Sequence, residues 1–177
     1  VSTKRDSARF YFNQGLNMYY GYHWREATAS FKEAARFDPG FAMAYWGEAL
    51  ALGPGYNFSL HYKMRKEVPG ILQKMNQNSS RATAKEKRLI EIMNSRYDAD
   101  SSDRNRVALN ITYEKGLRKL IDQYPGDPEI KVFYIDAVML VHPWDFWNNN
   151  GTPKAWTPET VSFCEEVLKE NPAHPAA

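Results

Sequence analysis

Residues 11–39 of the chain read YFNQGLNMYYGYHWREATASFKEAARFDP, and this stretch decides the fold. Apolar residues recur in it at spacings of three and four, which is the period of one helical face, and they form two separate runs. Gly21 and His23 mark the break between the runs. Pro39 ends the second run, because proline disfavours helix in the residue before it. The stretch therefore predicts a pair of helices within residues 7–38.

The spacing of six residues in this stretch is typical of a repeat. The intervals are 4, 12, 4, 3 and 5 along the series Tyr11, Gly15, Ala27, Phe31, Ala34 and Pro39. This pattern resembles the tetratricopeptide repeat, a helix pair that recurs about every 34 residues. We expect Gly15 and Ala27 to let the helices approach closely, and we expect Phe31 to fill the space between them.

The repeat pattern continues for one helix and then weakens. About 34 residues further on, Tyr45, Ala49 and Leu52 keep the residue classes of the first unit. His61 and Arg65 then stand where small or aromatic residues are expected. The resemblance is therefore strong at the N-terminal end and loose beyond it.

Helical patterns cover the rest of the chain, and no stretch alternates convincingly like a strand. The further predicted helices span residues 41–52, 59–77, 83–97, 103–124, 128–141 and 157–170. Pro69 is expected to kink or divide the second of these. Thr83 is expected to form a capping box with Glu86, Asp127 to cap the next-to-last helix, and Thr157 to cap the last.

These patterns predict a single all-α domain over residues 1–177, a tetratricopeptide-like superhelix of about eight helices. Residues 1–57 would form regular repeats and residues 58–177 degenerate ones. Because the chain starts at Val1 without Met and stops where a new helix would begin, we expect a fragment of a longer protein. A complete small protein is the alternative.

Three short segments resemble a more particular group of bacterial tetratricopeptide proteins, which carry AYWG…LGPxYN and PWDYW-like segments. The corresponding segments here are Ala44-Tyr-Trp-Gly47, Leu52-Gly-Pro-Gly-Tyr-Asn57 and Pro143-Trp-Asp-Phe-Trp147. Members of the group are generally longer, which agrees with a fragment. The resemblance implies a scaffold and not an enzyme.

Composition argues against several classes of protein. The chain has 11 Tyr, 9 Phe and 5 Trp, which supply ample surface to bury and argue against disorder. A single Cys leaves no disulfide framework and no cysteine-based zinc site. No apolar run approaches the ~18 residues that a membrane span requires. The compartment, periplasmic or exported or cytoplasmic, and the oligomeric state stay open.

No residue pattern indicates catalysis, a cofactor or a metal. Cys164 is expected on a buried helical face, and no serine stands in a Gly-x-Ser-x-Gly setting. The four histidines lack a partner three or four residues away, which the pairing of two ligands on one helix would need. His142 is expected to pack in a loop. Residues 58–96 have a local charge of +6, but the net charge of +2 and the lack of interleaved aromatics predict no nucleic-acid partner.

The predicted function is that of a non-catalytic interaction scaffold that binds a protein or peptide on a concave face. In such folds the first helix of each pair usually supplies the contacts. Phe12 and Leu16 stand where chaperone-binding members have Lys and Asn, so that function is not expected. The predicted partner-binding residues are Arg9, Phe12, Leu16, Tyr19, Tyr20, Met43, Trp46 and Leu50.

The alternative is a ligand-binding or catalytic module that uses residues 142–156, which we call the aromatic loop. Its tryptophans are Trp144, Trp147 and Trp156. They could form a stacking platform for a sugar or peptide, or a plug that covers neighbouring helices. We expect the plug, with Trp144 and Trp147 mostly buried against the helices that end near Tyr97 and Val141.

Overall fold

The computed structural model describes residues 1–58, 61–98 and 105–177, and the chain is all-α, as predicted. Within the described residues the only β-type pairing is one isolated bridge, between Trp147 and Pro153. Two single 3-10 turns lie at Tyr56–Phe58 and Ser79–Arg81. The α-helices of the described ranges are α1 (Asp6–Tyr20), α2 (Trp24–Phe37), α3 (Ala42–Leu52), α4 (Val68–Gln77), α5 (Ala84–Asn94), α6 (Arg106–Gln123), α7 (Pro128–Val141) and α8 (Thr157–Glu170).

The chain divides into two compact units. Among the described residues, the first unit comprises 1–53 and 63–98, and the second comprises 54–58, 61–62 and 105–177. The first unit contains α1 to α5, and the second contains α6 to α8. A single tetratricopeptide-like domain with a change of regularity after residue 57 stays a prediction.

The first unit is organised around the ring of Phe31 on α2. Phe31 is fully buried, and both Gly15 on α1 and Gly47 on α3 present bare backbone to its ring. A β-carbon added at Gly15 would lie 2.7 Å from Phe31 Cε1, and one added at Gly47 would overlap the ring still more. The predicted roles of Gly15 and Phe31 are therefore confirmed, and Ala27 and Ala34 are also fully buried.

Hydrogen bonds fix the ends of several helices as the sequence predicted. Thr83 Oγ1 accepts a bond from the Glu86 amide at 3.2 Å, and Glu86 Oε2 accepts one from the Thr83 amide at 2.8 Å. This capping box also holds the N-terminus, since Glu86 Oε1 accepts a bond from the Ser2 amide at 2.7 Å. At α7 the Asp127 carboxylate accepts a bond from the Ile130 amide at 3.2 Å, so that cap is confirmed too.

One predicted helix start and one predicted helix cap are wrong. The helix predicted from residue 59 begins only at Val68, with Pro69 in its first turn, where a missing N–H costs nothing. Thr157 does not cap α8: it is the first helical residue, and its hydroxyl donates to the Phe146 carbonyl instead. The predicted starts at residues 59 and 103 themselves lie outside the described residues.

A buried carboxyl group lies within α3, whose residues Ala42 to Ala51 are all buried. Burial raises the pKa of Glu48 from its ordinary value near 4.5 to about 7, although the charges of Lys32 and Lys74 oppose the shift. The folded state therefore holds a proton on Glu48 at pH values where the unfolded chain has released it. This difference makes stability fall as pH rises between these two values.

We expect Gly15→Ala and Gly47→Ala each to lower the free energy of unfolding by about 1–3 kcal/mol, because the new methyl group overpacks the Phe31 ring. Chemical denaturation measures the change. Gly70→Ala is the matched control: Gly70 also lies in a helix, but nothing stands within 4 Å of its added β-carbon. That variant should gain about 0.5–1 kcal/mol. Equal changes in the free energy of unfolding for all three variants would contradict the close approach of Gly15 and Gly47 to Phe31.

We expect Glu48→Gln to remove a pH dependence of stability. As pH rises from 5 to 8, the wild type should lose about 1–3 kcal/mol relative to Glu48→Gln, because only the carboxyl must ionise in a buried site. Urea denaturation at several pH values measures the difference. Glu165→Gln, which alters an exposed side chain, controls for the loss of a carboxylate in general. The expectation would be contradicted if the free energy of unfolding depended on pH in the same way for the wild type and for Glu48→Gln.

Candidate functional site

Most of the predicted partner-binding residues lie in the core of the first unit. Five of the eight are at most 7% exposed: Phe12, Tyr19, Met43, Trp46 and Leu50. For the three residues of α3 the reason is that α4 and α5 pack on this helix in addition to α2. Trp46 Nε1, for example, donates to the Leu89 carbonyl of α5 at 3.1 Å. On α1, the ring of Phe12 packs against the rings of Phe31 and Phe41. The five side chains thus leave no surface for a partner, and only Arg9, Leu16 and Tyr20 keep exposed surface.

The aromatic loop also differs from its prediction, because rings that were expected to be buried are exposed. Trp144 is 77% exposed and Trp147 is 58% exposed, so the plug prediction is wrong for both rings. Among the three tryptophans of the loop, only Trp156 has a ring that is held by both a stacked neighbour and a hydrogen bond. Its ring stacks on His142 with centroids 3.5 Å apart, and its Nε1 donates to the Asp145 carbonyl at 2.8 Å.

Backbone hydrogen bonds order the loop without burial of its rings. The Asn148 amide donates to the Thr152 carbonyl at 2.8 Å, and the Lys154 amide donates to the Phe146 carbonyl at 3.0 Å. Gly151 closes the turn between them with φ of +80°, a conformation that glycine adopts without steric cost. Main-chain hydrogen bonds thus form a miniature hairpin in which the rings of Trp144 and Trp147 stay exposed.

Trp144 has an unusual backbone conformation. Its φ is +60°, a left-handed value that costs roughly 1–2 kcal/mol for a residue with a β-carbon. Tyr56 holds it there: the Trp144 amide donates to the Tyr56 hydroxyl at 3.2 Å, and the two ring centroids are 5.0 Å apart. Such conformations persist only where the surroundings determine them. The contacts with Tyr56 therefore hold the Trp144 ring in its exposed position on the second unit.

An open cleft of about 480 Å³ lies beside Trp147 and is called the Trp147 cleft below. Its charged groups neutralise each other, since Lys154 Nζ lies 3.2 Å from Asp145 Oδ1. The Asn149 side chain has no hydrogen-bond partner among the described residues and is exposed. The lining residues are Asp145, Trp147, Asn148, Asn149, Asn150, Thr152 and Lys154.

A polar network fixes the first turn of α8, the helix that follows the loop. Glu159, in the first turn of α8, accepts bonds from Arg118 Nε at 2.8 Å and from the Tyr134 hydroxyl at 2.6 Å. Burial, followed by the bond to Glu159, raises the pKa of Tyr134, so the hydroxyl stays a donor. This network was not predicted from the sequence. An acidic residue in a first helical turn was the only signal, and it names no partners.

The described residues show no arrangement that would hold a metal. No group of three or more His, Cys, Asp or Glu side chains stands close enough together within the described ranges. Burial lowers the pKa of His142, against the charge of Asp145, and its ring is stacked on Trp156. Cys164 is half-buried rather than fully buried as predicted, with Sγ 3.5 Å from the Ala177 carbonyl.

No protein-family model, curated protein or solved structure matches the chain. The tetratricopeptide resemblance and any function must therefore be argued from the residues themselves. Among the described helices, none combines the length and apolar character that crossing a bilayer requires.

We expect acrylamide to quench Trp144 and Trp147 freely in the isolated protein, because both rings are exposed. Trp144→Phe and Trp147→Phe should each remove a strongly quenched part of the fluorescence. Trp46→Phe is the matched control, because that ring is only 1% exposed and its loss should remove an unquenched part. Protection of Trp144 and Trp147 equal to that of Trp46 would restore the plug hypothesis.

Proposed function

We propose that the chain is a non-catalytic binding module, in which a helical scaffold displays the aromatic loop as a ligand-binding site. The observation on which this depends is the exposure of Trp144 and Trp147 on an ordered segment. Burying a large apolar side chain stabilises a protein by about 1.5–3 kcal/mol, and both rings forgo most of that gain. Exposed aromatic side chains beside convergent polar groups are typical of binding sites.

The scaffold of the first unit is proposed to be tetratricopeptide-like. The contact of Phe31 with Gly15 supports this, since these are the large and small positions of the repeat pattern. The hairpin of α1 and α2, followed directly by α3, supports it too. In such arrays each helix pair rests on the next.

A second candidate is a scaffold that binds a protein or peptide through the first unit. Phe10 is 64% exposed, and it lines an open cleft of about 390 Å³ with Tyr11 and Phe37. The partner-binding residues that retain surface, Arg9, Leu16 and Tyr20, lie on the same helix, α1. This candidate has fewer polar groups to orient a ligand than the aromatic loop has.

The two candidates are separated by a pair of matched substitutions. The protein is screened against an immobilised oligosaccharide array and a phage-displayed peptide library. We expect Trp147→Ala to lose binding of the ligands that the wild type binds, and Phe10→Ala to retain it. Each variant removes one exposed ring, but only Trp147→Ala changes the aromatic loop. The reverse pattern would favour the second candidate. Circular dichroism verifies that both variants are folded.

A further inference from the structure

We propose that the Trp147 cleft binds a neutral saccharide, with the Trp147 ring stacked on the C–H face of one sugar residue. This inference rests on the proposed function, that the aromatic loop is a ligand-binding site. It concerns the chemical class of ligand that the cleft selects.

The charge in the cleft points to an uncharged ligand. Asp145 and Lys154 are the only charged residues of the lining, and their ion pair at 3.2 Å leaves no net charge to attract an anion or a cation. The pair is partly exposed, with side-chain exposures of 30% for Lys154 and 50% for Asp145, so breaking it would cost little, and it is the absence of a net charge that favours an uncharged ligand. A neutral ligand does not depend on such an attraction.

The polarity of the cleft excludes an apolar ligand. Six of its seven lining residues have polar side chains, and Trp147 is the single apolar one. An apolar ligand would desolvate these polar groups without replacing their hydrogen bonds with water. A ligand that is polar at its edges and apolar on one face fits the lining, and a pyranose ring has that distribution: hydroxyls around the rim and C–H groups on the face.

The asparagines of the turn offer donors and acceptors, and two of the three are held in place by hydrogen bonds. Asn148 Nδ2 donates to Thr152 Oγ1 at 3.0 Å, which leaves Asn148 Oδ1 as an acceptor. Asn150 Oδ1 accepts from the same hydroxyl at 2.7 Å, which leaves Asn150 Nδ2 as a donor. Asn149 supplies both kinds of group. A sugar hydroxyl donates and accepts at once, so it matches such a set, and the held amides lose little freedom on binding.

An extended peptide fits this place less well. Peptides that lie beside a strand are held by main-chain hydrogen bonds along an open edge. The pairing here is one isolated bridge, and Pro153 in it has no N–H to donate. The amides of Asn148 and Lys154 are already bonded within the hairpin. No edge long enough to hold a peptide main chain is left in this hairpin.

The inference is tested on the full chain labelled with 5-fluorotryptophan, whose 19F resonances report each ring separately. Trp147→Phe assigns the Trp147 signal by its disappearance. The probes are a panel of neutral hexasaccharides (cellohexaose, xylohexaose, mannohexaose and chitohexaose), anionic hexagalacturonate, and a pool of random heptapeptides. We expect at least one neutral hexasaccharide to shift the Trp147 signal saturably, and hexagalacturonate to leave it in place.

Variants locate the site. Trp147→Ala should weaken binding of that hexasaccharide at least about tenfold, as removal of a central aromatic contact does. Asn149→Ala should weaken it about threefold. Phe10→Ala, the matched control in the first unit, should bind as the wild type does. Circular dichroism and the unchanged 19F signal of buried Trp46 show that each variant is folded.

The outcomes separate the inference from the function on which it rests. If no neutral hexasaccharide shifts Trp147 at millimolar concentration but the peptide pool does, the saccharide inference is overturned and the binding function stands. Tighter binding of hexagalacturonate than of any neutral probe also overturns the inference. If no probe of any class shifts Trp144 or Trp147, both proposals fail. Equal saccharide binding by the wild type and Trp147→Ala would overturn the assigned site.

Discussion

The contact of one phenylalanine ring with two glycines is the constraint on which the first unit depends. Phe31 lies so close to Gly15 and Gly47 that no side chain can be placed at either glycine without displacing the Phe31 ring or the backbone around it. Three helices therefore meet at one point, and dispersion contacts there replace the side chains that are missing. The close approach leaves α3 enclosed by α2, α4 and α5. Its enclosure explains why Glu48 is so strongly desolvated, and why residues expected in a groove are core residues instead.

Sequence analysis predicted those parts of the fold in which local chemistry decides. The interval from Gly15 to Phe31 identified a helix pair, and the spacing of Thr83 and Glu86 identified a cap, because each depends on residues near one another in the chain. Gly47 was missed, because the repeat alignment assigned the small position to Ala49. The start of α4 was missed for a different reason: Pro69 is compatible both with a broken helix and with a first helical turn, and only packing decides between them.

The location of the candidate site could be predicted from the sequence, but the exposure of its tryptophan rings could not. The concentration of tryptophans marked the aromatic loop as unusual, yet its rings were expected to be buried as a plug. The hairpin between Phe146 and Lys154 orders it through the main chain, which composition does not reveal. The partner of Trp144 was equally hidden, since Tyr56 lies 88 positions away. Contacts of this kind follow from tertiary structure, and no local pattern encodes them.

The left-handed backbone at Trp144 has a consequence for how this chain can drift over evolutionary time. Glycine is the residue that would relax this conformation. A change to glycine would remove the conformational cost at this position but would also remove the contact of the ring with Tyr56. A lineage that no longer needed an exposed ring there would be expected to converge on glycine, whereas one that retains tryptophan does so against the conformational preference of its own main chain.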